Sequence, residues 1–326
     1  VASQKHIGVN FTTAELTLQL DDFAERVLKP RISQLASSID ADVANAYKAI
    51  FNTVGTPGTS PATALVLLQA QQKLNESAAG MAPRYATVNP AANAGLVNGL
   101  SGFFNPTDTI SKQFKNGMMG TGVLGFDEIN MSQSIKVHTT GSRAGTILVN
   151  GAVSTQGQST ISIDGLTGAT DTVTVGDVFT IANVFAVNPQ TRESTGSLQQ
   201  FVVTAAQTGV SNALANMAIS PPIYTSTSAL ATVDSFPADN AAVTFVGTAS
   251  TAYPQNMIYH KDAITFATAD LVLPTGVDMA ARAVHNGISL RIIRDYDINN
   301  DRMPCRIDVL YGFSTIRPQM ACRLWG

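Results

Sequence analysis

Apolar residues in the first fifty positions recur three and four residues apart, which is the spacing of one helix face. They are Leu16, Leu20, Phe23, Val27, Ile32, Leu35, Ile39, Val43, Tyr47 and Ile50. The pattern predicts one long amphipathic helix from Thr12 to Ile50 that is kinked at Pro30, or two helices with Pro30 in the first turn of the second. The residues before it, Val1 to Phe11, are predicted to be extended.

Capping and turn residues predict the elements that follow. Ser60 is expected to cap a helix that begins at Pro61 and ends before Gly80. Residues 84–88 are predicted to form a short strand. Residues 89–100, introduced by Asn-Pro, are predicted to form another helix.

A glycine-rich stretch separates this region from the next. Residues 107–116 are predicted to be a short helix, and Gly117 to Gly125 a flexible connector. Glycine-rich loops also bind phosphate, but that site ends in Lys-Ser or Lys-Thr and joins a strand to a helix. This stretch lacks that ending and follows no clear strand, so the connector is favoured over a phosphate site.

The composition changes sharply between Ala144 and Tyr253. That span contains one basic residue, Arg192, against six acidic residues, and it is rich in Thr, Val, Ser and Gly. Short alternating runs occur at residues 160–163, 178–181 and 201–204, and alternation of this kind is typical of strands with one buried face. The span is predicted to be a small all-β sandwich or barrel inserted into a parent fold.

Charge is scarce along the whole chain of 326 residues, of which 13% are charged and whose net charge is −3. The usual charged share is about 25%. Burial of much of the surface against other subunits would explain the low charge, because interface cores are depleted in charged residues. A secreted β-rich protein is the alternative interpretation. The small negative charge gives no overall basic field that would attract nucleic acid.

No catalytic, cofactor-binding or metal-binding residues are predicted. Cys305 and Cys322 lack the paired spacing of a zinc site and are expected to be buried free thiols. The histidines show no ligand spacing: His6, His138, His260 and His285. No nucleophile elbow, Walker loop or complete dinucleotide-binding motif occurs in the sequence.

One turn near the C-terminus has oxygen-bearing side chains at alternate positions: Asp295, Asp297, Asn299 and Asp301. Calcium prefers such ligands, but an EF-hand loop has Gly at position six and Glu at position twelve. Here those positions are Asn300 and Arg306. Because residues 288–293 and 307–311 resemble strands, an exposed hairpin turn is favoured over a calcium site.

The last seventy residues contain an ordered series of segments: His260-Lys261-Asp262-Ala263, Gly287–Arg291, Asp295–Asp301, Arg306–Gly312 and Arg317-Pro318. Similar segments occur upstream: Leu20–Phe23, Gly55–Thr59, Phe104–Pro106, Gly125–Asp127, Gly176–Ile181, Val187–Arg192 and Thr195–Val203. Together they closely resemble the major capsid proteins of tailed bacteriophages, specifically the P-twenty-two-like podovirus coat proteins.

The resemblance implies an α+β protein with the HK-ninety-seven-like capsid fold. Residues 1–52 would form the return strand of the E-loop and the spine helix of the peripheral domain, and residues 53–143 part of the axial domain. Residues 144–253 would form the inserted all-β domain. Residues 254–326 would complete the axial and peripheral domains.

The resemblance also implies a structural role without catalysis or a cofactor. Pentamers and hexamers would close into an icosahedral shell around double-stranded DNA, assembled in the host bacterial cytoplasm and retained in the virion, without a membrane. Scaffolding and portal proteins would be partners during assembly, and a decoration protein is a further candidate. A Thr/Val-rich surface or adhesin-type protein is the alternative, and a hydrolase a weaker one.

Two further expectations concern DNA and the start of the chain. Isolated cations are candidates for non-specific contact with packaged DNA, although solvation or ion pairing is favoured for them: Lys48, Lys112, Lys115, Arg306, Arg317 and Arg323. The relatives usually carry an N-terminal arm and an outgoing E-loop strand. Val1 is therefore not expected to be the biological start, and the partner of its strand is expected upstream.

Overall fold

The computed structural model describes residues 3–12, 29–100, 117, 119–168, 170–285 and 287–326. Three α-helices lie in this part of the chain: α1 (Lys29–Val43), α2 (Ala64–Glu76) and α3 (Pro90–Gly99). Short 3-10 helices occur at Ala44–Ala49 and Pro318–Met320.

The strands are numbered in chain order. The first group is β1 (Ser3–Thr12), β2 (Thr53–Val54), β3 (Arg84–Val88), β4 (Gly120–Val123), β5 (Phe126–Met131), β6 (Val137–Thr139) and β7 (Gly145–Val149). The second is β8 (Gln158–Leu166), β9 (Thr172–Val173), β10 (Val178–Val187), β11 (Ser194–Val203), β12 (Gln207–Thr208), β13 (Leu214–Ile223) and β14 (Val243–Phe245). The third is β15 (Ala252–Pro254), β16 (Asn256–His260), β17 (Ile264–Ala269), β18 (Met279–His285), β19 (Ile288–Arg294), β20 (Arg302–Thr315) and β21 (Ala321–Leu324).

These strands form three larger sheets and two ribbons. One sheet has the order β1-β20-β19-β18, with β17 also paired to β20. The second has the order β14-β10-β11-β13-β8-β7, and the third β2-β21-β16-β3-β5-β4. The ribbons are β12-β9 and β15-β6. The predicted α+β class is confirmed.

The first of two compact units comprises Val1–Ala44 and Thr265–Ser314. Leu35 and Ile39 of α1 are buried against Val309 of the sheet, together with its neighbours Ile307 and Tyr311. This is the face that the apolar spacing predicted.

Strand β1 lies at an edge of this sheet and pairs with β20 in antiparallel register, from Ser3 opposite Tyr311 to Thr12 opposite Arg302. The expectation that this strand lacks a partner within the chain is therefore wrong. Its hydrogen-bonding groups on one side are satisfied by a C-terminal strand, because β20 is long enough to extend along the whole of β1.

The helix predicted from Thr12 to Ile50 differs from the structure at its C-terminal end. Its part before Lys29 lies outside the described residues, and Pro30 occupies the first turn of α1. The α-helix ends at Val43 and continues as a 3-10 turn. Tyr47 in this 3-10 helix and Ile50 just after it are both buried in one apolar cluster.

The second unit comprises Asn45–Ile264 and Thr315–Gly326 and contains two large hydrophobic cores. One core lies between α2, α3 and the sheet that contains β16, with Leu67 and Leu96 among its completely buried members. The other belongs to the sheet of β7, β8, β10, β11, β13 and β14, where Phe179 and Phe201 stack with their ring centroids 5.6 Å apart. The alternating runs predicted as strands lie in β8, β10 and β11.

The predicted start of the helix after Ser60 is wrong. Helix α2 begins at Ala64 after Thr63, and no side chain caps it. The chain at Ala62 instead packs closely along α3, where a Cβ on Gly99 would lie 1.7 Å from the carbonyl oxygen of Ala62. Packing against α3 therefore overrides the local capping pattern. The helix predicted for residues 89–100 is confirmed as α3, and the Asn89 side chain caps it by accepting a hydrogen bond from the Ala92 amide.

The prediction of a flexible connector from Gly117 to Gly125 is also wrong in its described part. Strands β4 and β5 form an antiparallel hairpin. Leu124 and Gly125 at its turn have φ values of 49° and 76°, and two positive φ angles are the requirement of a tight type I′ hairpin turn. The helix predicted for residues 107–116 lies outside the described residues.

Candidate functional site at the junction of the β domain

A two-stranded ribbon connects the six-stranded sheet of β7, β8, β10, β11, β13 and β14, called the β domain below, to the rest of the second unit. Strand β6 leads into the β domain, and β15 leads out of it. The two strands pair in antiparallel register, with Tyr253 opposite His138. The two segments that enter and leave the β domain therefore lie side by side. The residues around this ribbon attach the β domain to the rest of the second unit.

Asp177 is the centre of the junction. Its carboxylate is completely buried and accepts hydrogen bonds from His138 Nε2 at 3.0 Å and Arg143 Nη1 at 3.1 Å. The backbone amides of Gly141 and Thr174 also donate to it, at 3.1 and 2.9 Å. Burial raises the pKa of this carboxyl, but the bond from His138 and the charge of Arg143 outweigh burial, so its pKa is lowered overall.

His138 connects this carboxylate to the 3-10 helix that follows α1. Its Nδ1 lies 3.3 Å from the Tyr47 hydroxyl, and the two rings meet edge to face. A neutral imidazole satisfies both contacts when Nε2–H donates to Asp177 and Nδ1 accepts from Tyr47. Burial raises the pKa of Tyr47, and the charge of Asp177 contributes to the same shift.

Arg143 is the direct counter-charge of Asp177. Its guanidinium lies 4.2 Å above the centre of the Phe245 ring, and Nη1 donates to the Gly141 carbonyl as well as to Asp177. Burial lowers the pKa of Arg143, and the charge of Asp177 partly offsets that effect. The pair thus combines a charge-assisted hydrogen bond with a cation–π contact.

Arg323 reaches the same region from β21. Its Nη1 donates to the Gly176 carbonyl at 2.7 Å and to Gln255 Oε1 at 3.4 Å. Its guanidinium lies 5.2 Å from the centre of the Tyr47 ring. Burial lowers the pKa of Arg323 to about 10, so the side chain remains a cation at neutral pH.

A side-chain amide extends the attachment at a sheet edge. Gln200 of β11 accepts from the Thr53 amide at 2.7 Å and donates to the Thr53 carbonyl at 3.1 Å. The side-chain amide of Gln200 thereby makes the hydrogen bonds to Thr53 that the backbone of a neighbouring strand would make beside β2. Phe51, Val178 and Val202 pack together next to this contact. The β domain is therefore attached by apolar packing as well as by buried polar bonds.

A cleft of about 420 Å³ lies beside the Gln200 contact. Its walls are largely apolar, and they include Phe51, Val187, Pro221, Tyr224, Leu230 and Pro318. Lys73 and Glu76 of α2 also line it and form an ion pair of 3.7 Å. The cleft thus has the shape of a binding site but no group of residues with catalytic geometry.

The structure does not bring the four histidines together. His138 and His260 are buried, whereas His6 and His285 are exposed. Among the described residues, no three His, Cys, Asp or Glu side chains are grouped as metal ligands.

Cys305 and Cys322 are buried free thiols, as predicted. Burial raises the pKa of both, that of Cys322 to about 12. In the same described part of the chain, no helix is both long and apolar enough to cross a membrane.

The acidic turn before β20 is a hairpin turn, as predicted, because β19 and β20 pair on either side of it. Asp297 Oδ1 accepts from the Asn299 amide at 3.0 Å, and Oδ2 accepts from Asn300 Nδ2 at 2.8 Å. Tyr296 donates to Asp301 at 3.0 Å. The oxygens that suggested calcium thus bond within the turn itself.

The cations suggested for DNA contact differ in exposure. Arg323 is only 1% exposed, so it is removed from that set. Arg306 binds the buried Asp308 at 2.6 Å, on the opposite side from Arg291 at 2.7 Å. Lys48 and Arg317 are exposed, and Lys112 and Lys115 lie outside the described residues.

The residues at the centre of this junction were not predicted as site residues. Asp177 and Arg143 are 34 positions apart, and Arg323 is 147 positions from Gly176. No spacing rule connects such distant positions. The signal that could have found them is the scarcity of charge in the β segment. Asp177 lies within that lysine-free segment and Arg143 just before it, and buried charged residues need partners.

Comparison with known proteins identifies the family. Residues 4–326 match the family described as P22 coat protein, gene protein 5. A curated major capsid protein from Acyrthosiphon pisum secondary endosymbiont phage 1 is 21% identical over 339 aligned residues, which cover 98% of this chain and 79% of the relative.

Solved structures from phages are also similar. A chain from Mycobacterium phage Che8 is 10% identical, with a TM-score of 0.45, and the alignment covers 99% of this chain and 70% of that one. The CUS-3 coat protein I-domain is 26% identical, with a TM-score of 0.24, over 32% of this chain and 98% of the domain. Because the family match extends over nearly the whole sequence, the chain belongs to the P22 coat protein family.

Proposed function

We propose that copies of this phage coat protein assemble as pentamers and hexamers into a closed icosahedral shell that encloses double-stranded DNA. The family match over residues 4–326 carries this proposal. Closed shells form when repeated contacts between unlike surfaces of identical subunits close on themselves. A charged fraction of 13% agrees with surfaces that are buried between subunits. The family match does not favour the adhesin-type alternative.

The proposed domain boundaries follow the family pattern. Residues 1–52 and part of 254–326 form the peripheral domain, and residues 53–143 with the remainder of 254–326 form the axial domain. Residues 144–253 form the inserted β domain. The separate hydrophobic core of the β domain supports this division.

The proposed role is mechanical, with neither catalytic residues nor a cofactor. Scaffolding and portal proteins act during assembly in the host bacterial cytoplasm, and a decoration protein is a further candidate partner. Contact with packaged DNA is non-specific. Support for the structural role comes from the family match over residues 4–326 and from the curated major capsid protein that is similar to this chain.

Electron microscopy of the purified full-length coat protein tests the proposal. With its scaffolding protein, the protein should form closed shells of uniform diameter that sediment as particles. Ala36→Asp, at an exposed position of α1, is a control that should fold and form the same shells as the wild type. Soluble, folded monomers or open filaments under every assembly condition would overturn the proposal.

A further inference from the structure

Arg323 has buried hydrogen-bond donors without an acceptor in the described part of the chain. Its side chain is fully enclosed, with 1% of the residue exposed. Nη1 is bonded to Gly176 and Gln255, but Nε and Nη2 have no acceptor among the described residues. Buried donors in folded proteins nearly always have a partner, so a guanidinium with two free nitrogens indicates a missing ligand.

The charges around Arg323 do not balance. Arg143 and Asp177 form one buried pair, and Arg323 adds a second positive charge. Both oxygens of Asp177 are already occupied by other donors: His138, Arg143, Gly141 and Thr174. Asp177 also attracts Arg323, and the Tyr47 ring faces it, but one carboxylate cannot neutralise two buried cations. An excess buried positive charge is strongly unfavourable. The junction therefore lacks one negative charge.

A small cavity lies beside this cation. Its volume is about 10 Å³, and Arg323, His138, Gly176, Asp177, Gln255 and Trp325 are among its lining residues. This volume corresponds to roughly one particle the size of a water molecule. Phosphate, sulfate and carboxylate ligands are too large for it. Chloride is somewhat larger than a water molecule, and as a single atom it would need only a small outward shift of the lining residues.

We propose that this cavity binds one chloride ion, held by Nε–H and Nη2–H of Arg323. Chloride supplies both the acceptor that these donors lack and the negative charge that the junction lacks. A water molecule would satisfy the donors but would leave the buried charge uncompensated. Asp177 also lines the cavity and opposes an anion there, but its charge is neutralised by Arg143. The ion would fix Arg323 beneath the turn that contains Gly176.

Halide exchange in crystals of the wild-type coat protein tests the site directly. Crystals grown with sodium bromide in place of sodium chloride should show an anomalous peak at the bromine edge, within about 3.5 Å of Arg323 Nε or Nη2. Bromide peaks at the protein surface do not count. Density without anomalous signal would assign a water molecule and overturn the proposal, and an empty cavity would overturn it as well.

Thermal unfolding gives an independent test in solution. At constant ionic strength, replacing gluconate with chloride should raise the Tm of the wild type by roughly 2–4 °C at saturation. Arg323→Met should abolish the chloride dependence, whereas Arg317→Met, at an exposed position, should retain it. An equal chloride response in both variants would refute the site. If Arg323→Met does not fold, the bromide experiment on the wild type decides alone.

Discussion

Asp177→Asn should destabilise the coat protein strongly. The substitution keeps the size of the side chain but removes the charge that faces Arg143, whose side chain is 3% exposed. Four donors then compete for a single amide oxygen. Removing one partner of a buried ion pair typically costs about 3–5 kcal/mol. Because domains are stable by roughly 5–15 kcal/mol, the loss is a large fraction of the total.

Urea unfolding of the full-length monomer measures this loss. The single tryptophan, Trp325, is 3% exposed and donates to the Pro254 carbonyl beside the junction, so its fluorescence reports the same region. Circular dichroism of the whole chain should show whether unfolding is one transition. Asp164→Asn is the control, because that carboxylate is partly exposed and no described residue donates a hydrogen bond to it. Its effect should remain within about 0.5 kcal/mol.

The dependence on pH provides a second check. The pKa of Asp177 is lowered in the folded protein, whereas an unfolded Asp titrates near about 3.9. The stabilisation is therefore complete above the unfolded pKa and is lost as the pH falls through the folded pKa. The difference between wild type and Asp177→Asn should be constant from pH 5 to 7 and should shrink below about pH 4. A loss under about 1 kcal/mol at pH 7, with an unchanged slope in urea, would refute the reasoning.

Three further predictions follow from the cores. Ile39→Asp should place an unpaired charge in the core of the first unit and cost several kcal/mol of stability. The variant should be insoluble or unable to assemble, whereas the control Ala36→Asp should assemble. Normal shells from Ile39→Asp would contradict the prediction. The excised fragment 144–253 should fold alone with a β-sheet circular dichroism spectrum and dispersed amide resonances, and a random-coil spectrum would contradict its independence. Cys305 and Cys322 should react with a thiol reagent only after unfolding, and fast labelling of the native protein would show that the thiols are accessible.

Elements whose signals are local could be predicted from the sequence. The apolar face of α1 was predicted from Leu35 and Ile39, because helical spacing depends only on neighbouring residues. The start of α3 was predicted from Asn89-Pro90, because proline at the first helical position is an equally local signal. Strands β10 and β11 were predicted for the same reason, because the alternation of apolar and polar residues is also a local signal.

Predictions failed where contacts between residues distant in the sequence determine the local structure. Ser60 and Pro61 resemble a helix start, but this segment packs along α3, where Gly99 permits a very close backbone approach. The stretch before β5 resembles a loop because it is rich in glycine, yet it forms strand β4 and the turn of a hairpin at Leu124 and Gly125. The junction around Asp177 could not be predicted, because its partners come from segments far apart in the sequence.

The buried charges at the junction determine orientation more than stability. Apolar residues of similar volume often stabilise as well as a buried ion pair, but they do not require one geometry. Arg143→Met combined with Asp177→Leu should therefore recover part of the stability that Asp177→Asn loses. Its β domain should nevertheless be less uniquely oriented, because no directional bond replaces those at Gly141 and Thr174. Cryo-electron microscopy of assembled particles should show weaker density for the β domain than for the rest of the subunit. Equal density in both, with full stability, would mean that the apolar contact at Phe51 alone fixes the orientation.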